Sequence, residues 1–451
     1  MSLTLKSAQL VISGRALRGI YMDNYDCIVI GAGPAGLTAA TLLARSGMDV
    51  IVIERGEYPG AKNMFGGVLY SRGLEEIFPE FWKEAPVERP VARWVISFLN
   101  ADSSFSIDYK SRHYSKPPYN AFTVLRSKFD RWHAQKAEAE GVTLVTKTTV
   151  LDLIKDNGVI TGVKTDREQG DLFAPVVIAA DGVNSIVKRN SILGKDLVLD
   201  EVSLGVKEIL ALPEEDINRN FSLSDGEGMA RTFVGAATDG VPGGGFIYTN
   251  RESISIGVVV KPGSLIEKKV SPEDLLDNFK NHDLVKPIVK NGVRREYSAH
   301  LIPEGGSAER NLYADGLIAA GDAAGFTLST GFRTEGVNYS IMSGAAAAEA
   351  VKSAGKKNDF SAKSLSVYVK LLKDYGLLSD FKKHKNAPEF FKNPRLYETY
   401  PDLICNMADD IFTVLPGPKD GIFTILKKSM KGRISWFRMI KDCLAGWRAI
   451  L

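Results

Sequence analysis

Residues 25–56 read YDCIVIGAGPAGLTAATLLARSGMDVIVIERG, and no other stretch narrows the possible folds as far. The apolar run Cys27 to Ile30 is short enough for a strand buried on both faces. It leads directly into Gly31, Gly33 and Gly36, spaced as G-x-G-x-x-G. Gly31 permits a tight turn, Gly33 lets a pyrophosphate approach the backbone, and Gly36, beside Ala35, allows a helix to pack closely on the strand. The first N–H groups of that helix and its positive dipole end would face the phosphates. Leu37, Ala40, Leu43 and Ala44 recur at helical spacing, and Gly47 marks the stop. A second apolar run, Val50 to Ile53, ends in Glu54 and Arg55. An acid at that strand end suits the two hydroxyls of a ribose. The glycine spacing alone is weak, but strand, glycines, helix, strand and acid in this order predict a dinucleotide-binding unit.

Two later stretches bear on which dinucleotide. In APVVIAADGVNSIVKR a buried strand, residues 176–180, runs into Asp181-Gly182; in DGLIAAGDAAGFTLSTGFRTEGVNYS a strand, residues 317–320, runs into Gly321-Asp322. Both resemble the later motifs of the glutathione-reductase-like FAD superfamily, particularly its hydroxylase branch. The resemblance implies an α/β fold with a Rossmann-like FAD-binding domain of that type. It assigns Asp322 to the ribityl chain, and a helix starting near Gly336, Val337 and Asn338 to the pyrimidine edge of the flavin. Reduced flavin is negative there, and a helix N-terminus stabilises such charge. Arg126 would contact the cofactor near the adenosine and pyrophosphate, and Arg55, Val150, Asp181, Gly182, Gly321 and Gly331 complete the expected cofactor set. No second G-x-G-x-x-G unit follows a strand, so a separate nicotinamide domain is not expected.

Residues 201–305 change character: VSLGVKEILAL, GGGFIYTN and SISIGVVVKP are strand-like runs with Gly and Asn turns,. They predict a mostly antiparallel sheet inserted between cofactor segments and facing the flavin. The expected organisation is a leader over 1–22; a discontinuous FAD-binding domain over 23–90, 126–200 and 306–350; a sheet domain over 91–125 and 201–305; and a helical region over 351–451. Tyr248, Tyr297, His300 and Glu304 are the candidate polar groups near the ring, and Tyr248 and His300 read as well as packing residues. No Ser–His–Asp or metal-ligand spacing accompanies them, so no metal is expected and the chemistry belongs mainly to the cofactor.

Composition sets outer limits. A net charge of +3 over 451 residues is too small to make the whole molecule a nucleic-acid binder. The three cysteines, Cys27, Cys405 and Cys443, form no CxxC pair, which excludes an iron–sulfur cluster built from this chain alone and points to a reducing compartment. No apolar run reaches the ~18 residues of a spanning helix. The tail from Gly421 onward carries Lys427, Lys428, Lys431, Arg433, Arg438, Lys441 and Arg448 against the single acid Asp442. Phe423, Ile425, Leu426, Ile434, Trp436, Phe437, Ile440, Leu444 and Trp447 interleave with them. Such a segment suits either an anionic bilayer surface or a partner.

GAKNMFGGVLY, VLRSKFD, ADGVNS, GVKE, GGGFIYTN, EYSAHLIPEGG and GDAAG together resemble the FixC family, relatives of electron-transfer-flavoprotein:quinone oxidoreductase. That resemblance implies a bound FAD, the α and β subunits of an electron-transfer flavoprotein as donor, a quinone acceptor and a small ferredoxin-like FixX partner. The cluster carried by the fused oxidoreductases would then come from FixX, because Cys405 and Cys443 cannot ligate one here. The expected place is the inner face of the cell membrane, as the quinone branch of an electron-bifurcating assembly. In GAKNMFGGVLY, Lys62 and Asn63 would donate hydrogen bonds near the ring, and Gly66 and Gly67 would let backbone lie against it. The alternatives are a geranylgeranyl-reductase-like flavoprotein, an NADPH-using hydroxylase and a relay subunit that does not itself reduce quinone.

Overall fold

In the computed structural model, which describes residues 25–62, 67–194, 198–305, 311–331 and 333–450, β1 (Cys27–Ile30) passes through the glycine turn into helix Pro34–Ala44 and on to β2 (Val50–Ile53). Every residue of both strands is buried, the setting in which unbroken Val/Ile runs are stable. Gly31 has φ +96°, and a Cβ there would fall 2.4 Å from the Ala180 carbonyl oxygen. The turn is therefore closed to any other residue.

β3 (Val68–Tyr70), β4 (Val87–Leu99), β5 (Ser104–Lys110) and β6 (Ala121–Val124) precede helix Arg126–Ala139. After β7 (Thr143–Val145), β8 (Val150–Asp156) and β9 (Val159–Thr165) form a hairpin. Its turn residues Asn157 and Gly158 both have positive φ, 48° and 86°, as a tight primed turn demands. β10 (Leu172–Phe173) and β11 (Val177–Ala179) follow. The middle of the chain supplies β12 (Val202–Ala211), β13 (Gly228–Gly235), β14 (Gly243–Thr249), β15 (Ser253–Val260) and β16 (Val293–Pro303). β17 (Tyr313–Ala314) and β18 (Leu317–Ala319) then lead to the long helix Val337–Gly355.

The first sheet has six strands in the order β17-β18-β11-β1-β2-β7, so three separate parts of the chain return to it. Its pairs from β18 to β7 are parallel. Helix Val337–Gly355 packs on helix Pro34–Ala44, where a Cβ on Gly344 would lie 2.2 Å from the Ala35 carbonyl oxygen. The small-residue face of this helix thus meets the first helix.

The second sheet has nine strands, ordered β16-β12-β15-β14-β13-β4-β6-β3 with β5 added beside β4. Its pairs are antiparallel except β13 with β4. One face buries Val206, Leu210, Phe233, Ile256 and Phe279 in a separate apolar core. Because side chains alternate, residues paired across the ladder share a face. The opposite face therefore carries, row by row, His300 beside Gly205; Ser298, Lys207, Gly257 and Phe246; then Glu296, Ser255, Tyr248, Ala230 and Trp94. Beyond residue 355 the chain is helical, ending in helices Thr399–Phe412, Ile422–Met430 and Trp436–Ile450. Among the described residues no helix is long and apolar enough to cross a membrane.

Candidate functional site

The C-terminal ends of β1, β2 and β11 open onto a groove lined by Gly31, Gly33, Glu54, Arg55, Lys62, Val150, Asp181, Gly182 and His300. Glu54 is nearly buried. One carboxylate oxygen accepts the Ala32 N–H at 2.9 Å and the other the Gly56 N–H at 2.6 Å, which orients the acid at the strand end. Arg126 is 5% exposed and forms a two-pronged pair with Asp130, both contacts 2.8 Å. Burial works against its charge, and the Asp130 carboxylate more than offsets this, holding the guanidinium above its usual range. Gly33 is the N-cap of helix Pro34–Ala44, and no side chain caps that end. Oδ1 of Asp181 is buried without a hydrogen-bond partner, and burial pushes its carboxyl up. An uncapped helix end, a glycine turn and an orphaned carboxylate oxygen in one groove fit a phosphate-bearing dinucleotide with hydroxyl donors.

Asp322 accepts from Thr327 Oγ1 at 3.3 Å, and burial raises its carboxyl despite the Arg126 charge. Gly321 has φ +61°, and a Cβ there would come within 2.9 Å of the Ala35 methyl. Gly36 is as tightly placed, 2.0 Å from the Gly31 carbonyl oxygen by the same measure. Helix Val337–Gly355 starts after Gly336, where the sequence predicts it. His300 lies on the sheet face toward the groove. Burial first, then the Arg126 and Arg55 charges, lower its imidazole to about 4, so it is neutral at physiological pH.

A second cavity, about 640 Å³, is walled by Tyr70, Trp94, Tyr109, Tyr114 and Tyr248, with Gly331, Arg333, Glu335 and Asn338 among its polar side. Tyr70 and Trp94 are stacked, their ring centroids 6.1 Å apart. Burial pushes the Tyr248 phenol up to about 12, so it stays protonated. Glu335 pairs with Arg333 at 2.5 Å and accepts from Asn338 Nδ2 at 2.7 Å, while Asn338 Oδ1 is buried with no partner. A Cβ on Gly67 would lie 2.1 Å from Tyr248 Cδ2, so the backbone at Gly67 rests on that ring.

The expected ring-side group is therefore divided. Tyr248, Gly331 and Asn338 line the aromatic cavity, whereas Lys62 and His300 line the groove. Val337 is partly buried against the cluster around Phe122 and Phe129. Glu304 is tied to Lys261 and Ser203, and Tyr297 is 39% exposed. Asn63 and Gly66 lie outside the described residues. Sequence reasoning passed over Tyr70, Trp94, Tyr109, Tyr114, Arg333 and Glu335. The period-two alternation of Phe105, Ile107 and Tyr109 was a signal for a one-sided strand, but not for what it faces. Among the described residues no group of His, Cys, Asp or Glu could hold a metal ion.

Fold and groove together define a flavoprotein with an FAD-binding domain of the hydroxylase type. A family profile described as "FAD binding domain" matches residues 24–196, and one described as "ETF-QO/FixC family C-terminal domain" matches residues 387–451. The probable electron transfer flavoprotein-quinone oxidoreductase YdiS of Escherichia coli (strain K12) is 39% identical over 431 residues, 95% of this chain and 99% of YdiS. Protein FixC of Azotobacter vinelandii is 39% identical over 434 residues, 95% of this chain and 99% of its own length. The chain belongs to the ETF-QO/FixC family. Among solved structures, a geranylgeranyl bacteriochlorophyll reductase-like protein from Thermoplasma acidophilum superposes with a TM-score of 0.72 at 22% identity, covering 94% of this chain and all of that one. The myxobacterial halogenase CndH gives 0.63 at 18%, covering 91% and 97%. At such identities the likeness speaks for the fold alone.

Proposed function

We propose that this chain takes electrons from an electron-transfer flavoprotein and delivers them to a quinone. The observation that carries the reading is the aromatic cavity, which shares one sheet face with the dinucleotide groove in a chain whose relative YdiS is named for this reaction. A flat quinone ring suits the space between Trp94, Tyr70 and Tyr248. The protonated Tyr248 phenol and the Arg333 guanidinium are hydrogen-bond donors for its oxygens. Bound FAD would supply the electron-transfer chemistry. Glu54 would hold its ribose, the start of helix Pro34–Ala44 its pyrophosphate, Asp322 its ribityl chain and the start of helix Val337–Gly355 its pyrimidine edge. Lys62, at the groove and not the cavity, would serve the phosphate-bearing part, and Gly67 would bring backbone close to the ring.

The finer reading is a quinone branch of a bifurcating FixABCX-type complex, at the inner face of the membrane. It draws on the cysteines: in the C-terminal region only Cys405, buried, and Cys443, exposed, are present, so FixX would bring the cluster. It also draws on the tail, where Ile422, Phe423, Phe437, Ile440, Leu444 and Trp447 are all more than half exposed among lysines and arginines.

The test is stopped-flow oxidation of the bound flavin after reduction by an electron-transfer flavoprotein. A soluble quinone analogue should accelerate reoxidation, and Tyr248→Leu should slow that step while FAD is retained. If quinone leaves the rate unchanged while a partner subunit accepts the electrons, the chain is a relay and the reading fails.

A further inference from the structure

Neither the groove nor the cavity accounts for Lys207. It lies in the middle of β12, 2% exposed, on the face turned away from the apolar core of Val206, Phe233 and Ile256. Burying an ammonium is costly in a sheet, so its placement is informative. On one side is the row of His300, which lines the groove; on the other is the row of Tyr248 and Trp94, which line the aromatic cavity. Lys207 thus occupies the strip of sheet that joins the two. Next to it Gly257 has no side chain, and a Cβ there would strike the Phe246 ring at 2.5 Å. A ring bound in the groove and reaching toward the cavity would pass over this strip.

We propose that Lys207 is the positive charge that stabilises the reduced ring of the bound flavin and so raises its midpoint potential. Two electrons and one proton taken from the reduced donor leave the ring with one negative charge. The ammonium offsets that charge and keeps its own proton. The proposal rests on FAD occupying the groove and does not require quinone as the acceptor.

The surrounding charges favour a lysine that responds to the redox state. Burial lowers the Lys207 ammonium to about 8; Glu296 on β16 opposes this and Arg126 adds to it. Burial pushes Glu296 up and Asp322 up. His300, at about 4, and Tyr248, at about 12, titrate elsewhere. With that value kept in the oxidised holoprotein, Lys207 loses its proton above pH ~8, and reduction restores it. The wild-type potential should then fall more steeply with pH.

Full-length holoprotein carrying Lys207→Met or Lys207→Arg tests this by dye-equilibrated potentiometry from pH 6 to 10. Lys207→Met is expected to weaken stabilisation of the reduced form at least tenfold, about 30 mV for two electrons, and to abolish the steep segment; Lys207→Arg is expected to keep the neutral-pH potential. A Lys207→Met protein that retains FAD with wild-type potential and slope overturns the assignment. If that variant holds no FAD, the wild-type profile decides, and a single unbroken slope across the range overturns it. Loss of quinone reduction with these shifts present would sink the proposed acceptor and leave Lys207 standing.

Discussion

Glu54 shows how much one side chain can hold in place. Its two oxygens already accept the Ala32 and Gly56 N–H groups at 2.9 and 2.6 Å, so the acid is fixed before any ribose arrives, with lone pairs to spare. Replacing it with Gln keeps the shape but trades one acceptor for a donor and removes the charge. FAD binding to apo Glu54→Gln, titrated by flavin fluorescence, should weaken by about 1–3 kcal/mol, the scale of a charge-assisted hydrogen bond. Undiminished affinity would remove Glu54 from the ribose site. The position of Glu54 was readable from sequence because it follows from a fixed distance along one βαβ unit. Tyr70 and Trp94 were not. They stack only because β4 pairs with β6, which in turn pairs with β3. No local pattern encodes that pairing.

Elements differ in the same way. Helix Pro34–Ala44 and its flanking strands follow from turn chemistry and apolar runs confined to 30 residues or so, and they appear where expected. The C-terminal helices were legible as basic and amphipathic, but their docking was not. Asp442, the single acid of the tail, points inward, accepting from Arg395 at 2.6 and 2.7 Å and from the Tyr400 hydroxyl at 2.8 Å. Ile425, Met430, Ile434 and Ala449 are buried, which leaves Phe437, Leu444 and Trp447 on the outside. Truncation after Gly417 should therefore abolish co-sedimentation with anionic liposomes. The double variant Phe437→Ser, Trp447→Ser should weaken it without unfolding the helix, since neither side chain packs inside. Unchanged sedimentation of both proteins would assign the tail to a protein partner instead.

For the molecule as a whole, acidification acts through a buried histidine of helix Arg126–Ala139. His133 is fully buried among Phe78, Phe129 and Trp132, and burial lowers its imidazole to about 3, with the Arg126 charge adding to the shift. The folded state thus refuses a proton that the unfolded chain accepts below about pH 6.5. Above that pH both states are neutral and nothing is gained or lost. Below it stability falls with slope up to about 1.4 kcal/mol per pH unit from this residue, down toward pH 3. Urea denaturation at pH 7, 6 and 5 should show the decline, and His133→Phe should flatten it; an equal slope in the variant would assign the loss to other groups. One contact already described also bears on how such chains diverge. The backbone at Gly67 leans on the Tyr248 ring so closely that a methyl would arrive at 2.1 Å. The two positions, 181 residues apart in the chain, must therefore change together: a relative with a side chain at 67 must have traded the ring at 248 for something smaller. In this chain Gly67→Ala requires that Tyr248 first give way to a residue with no atom beyond Cβ, such as Ala, so the ring must change before position 67 can.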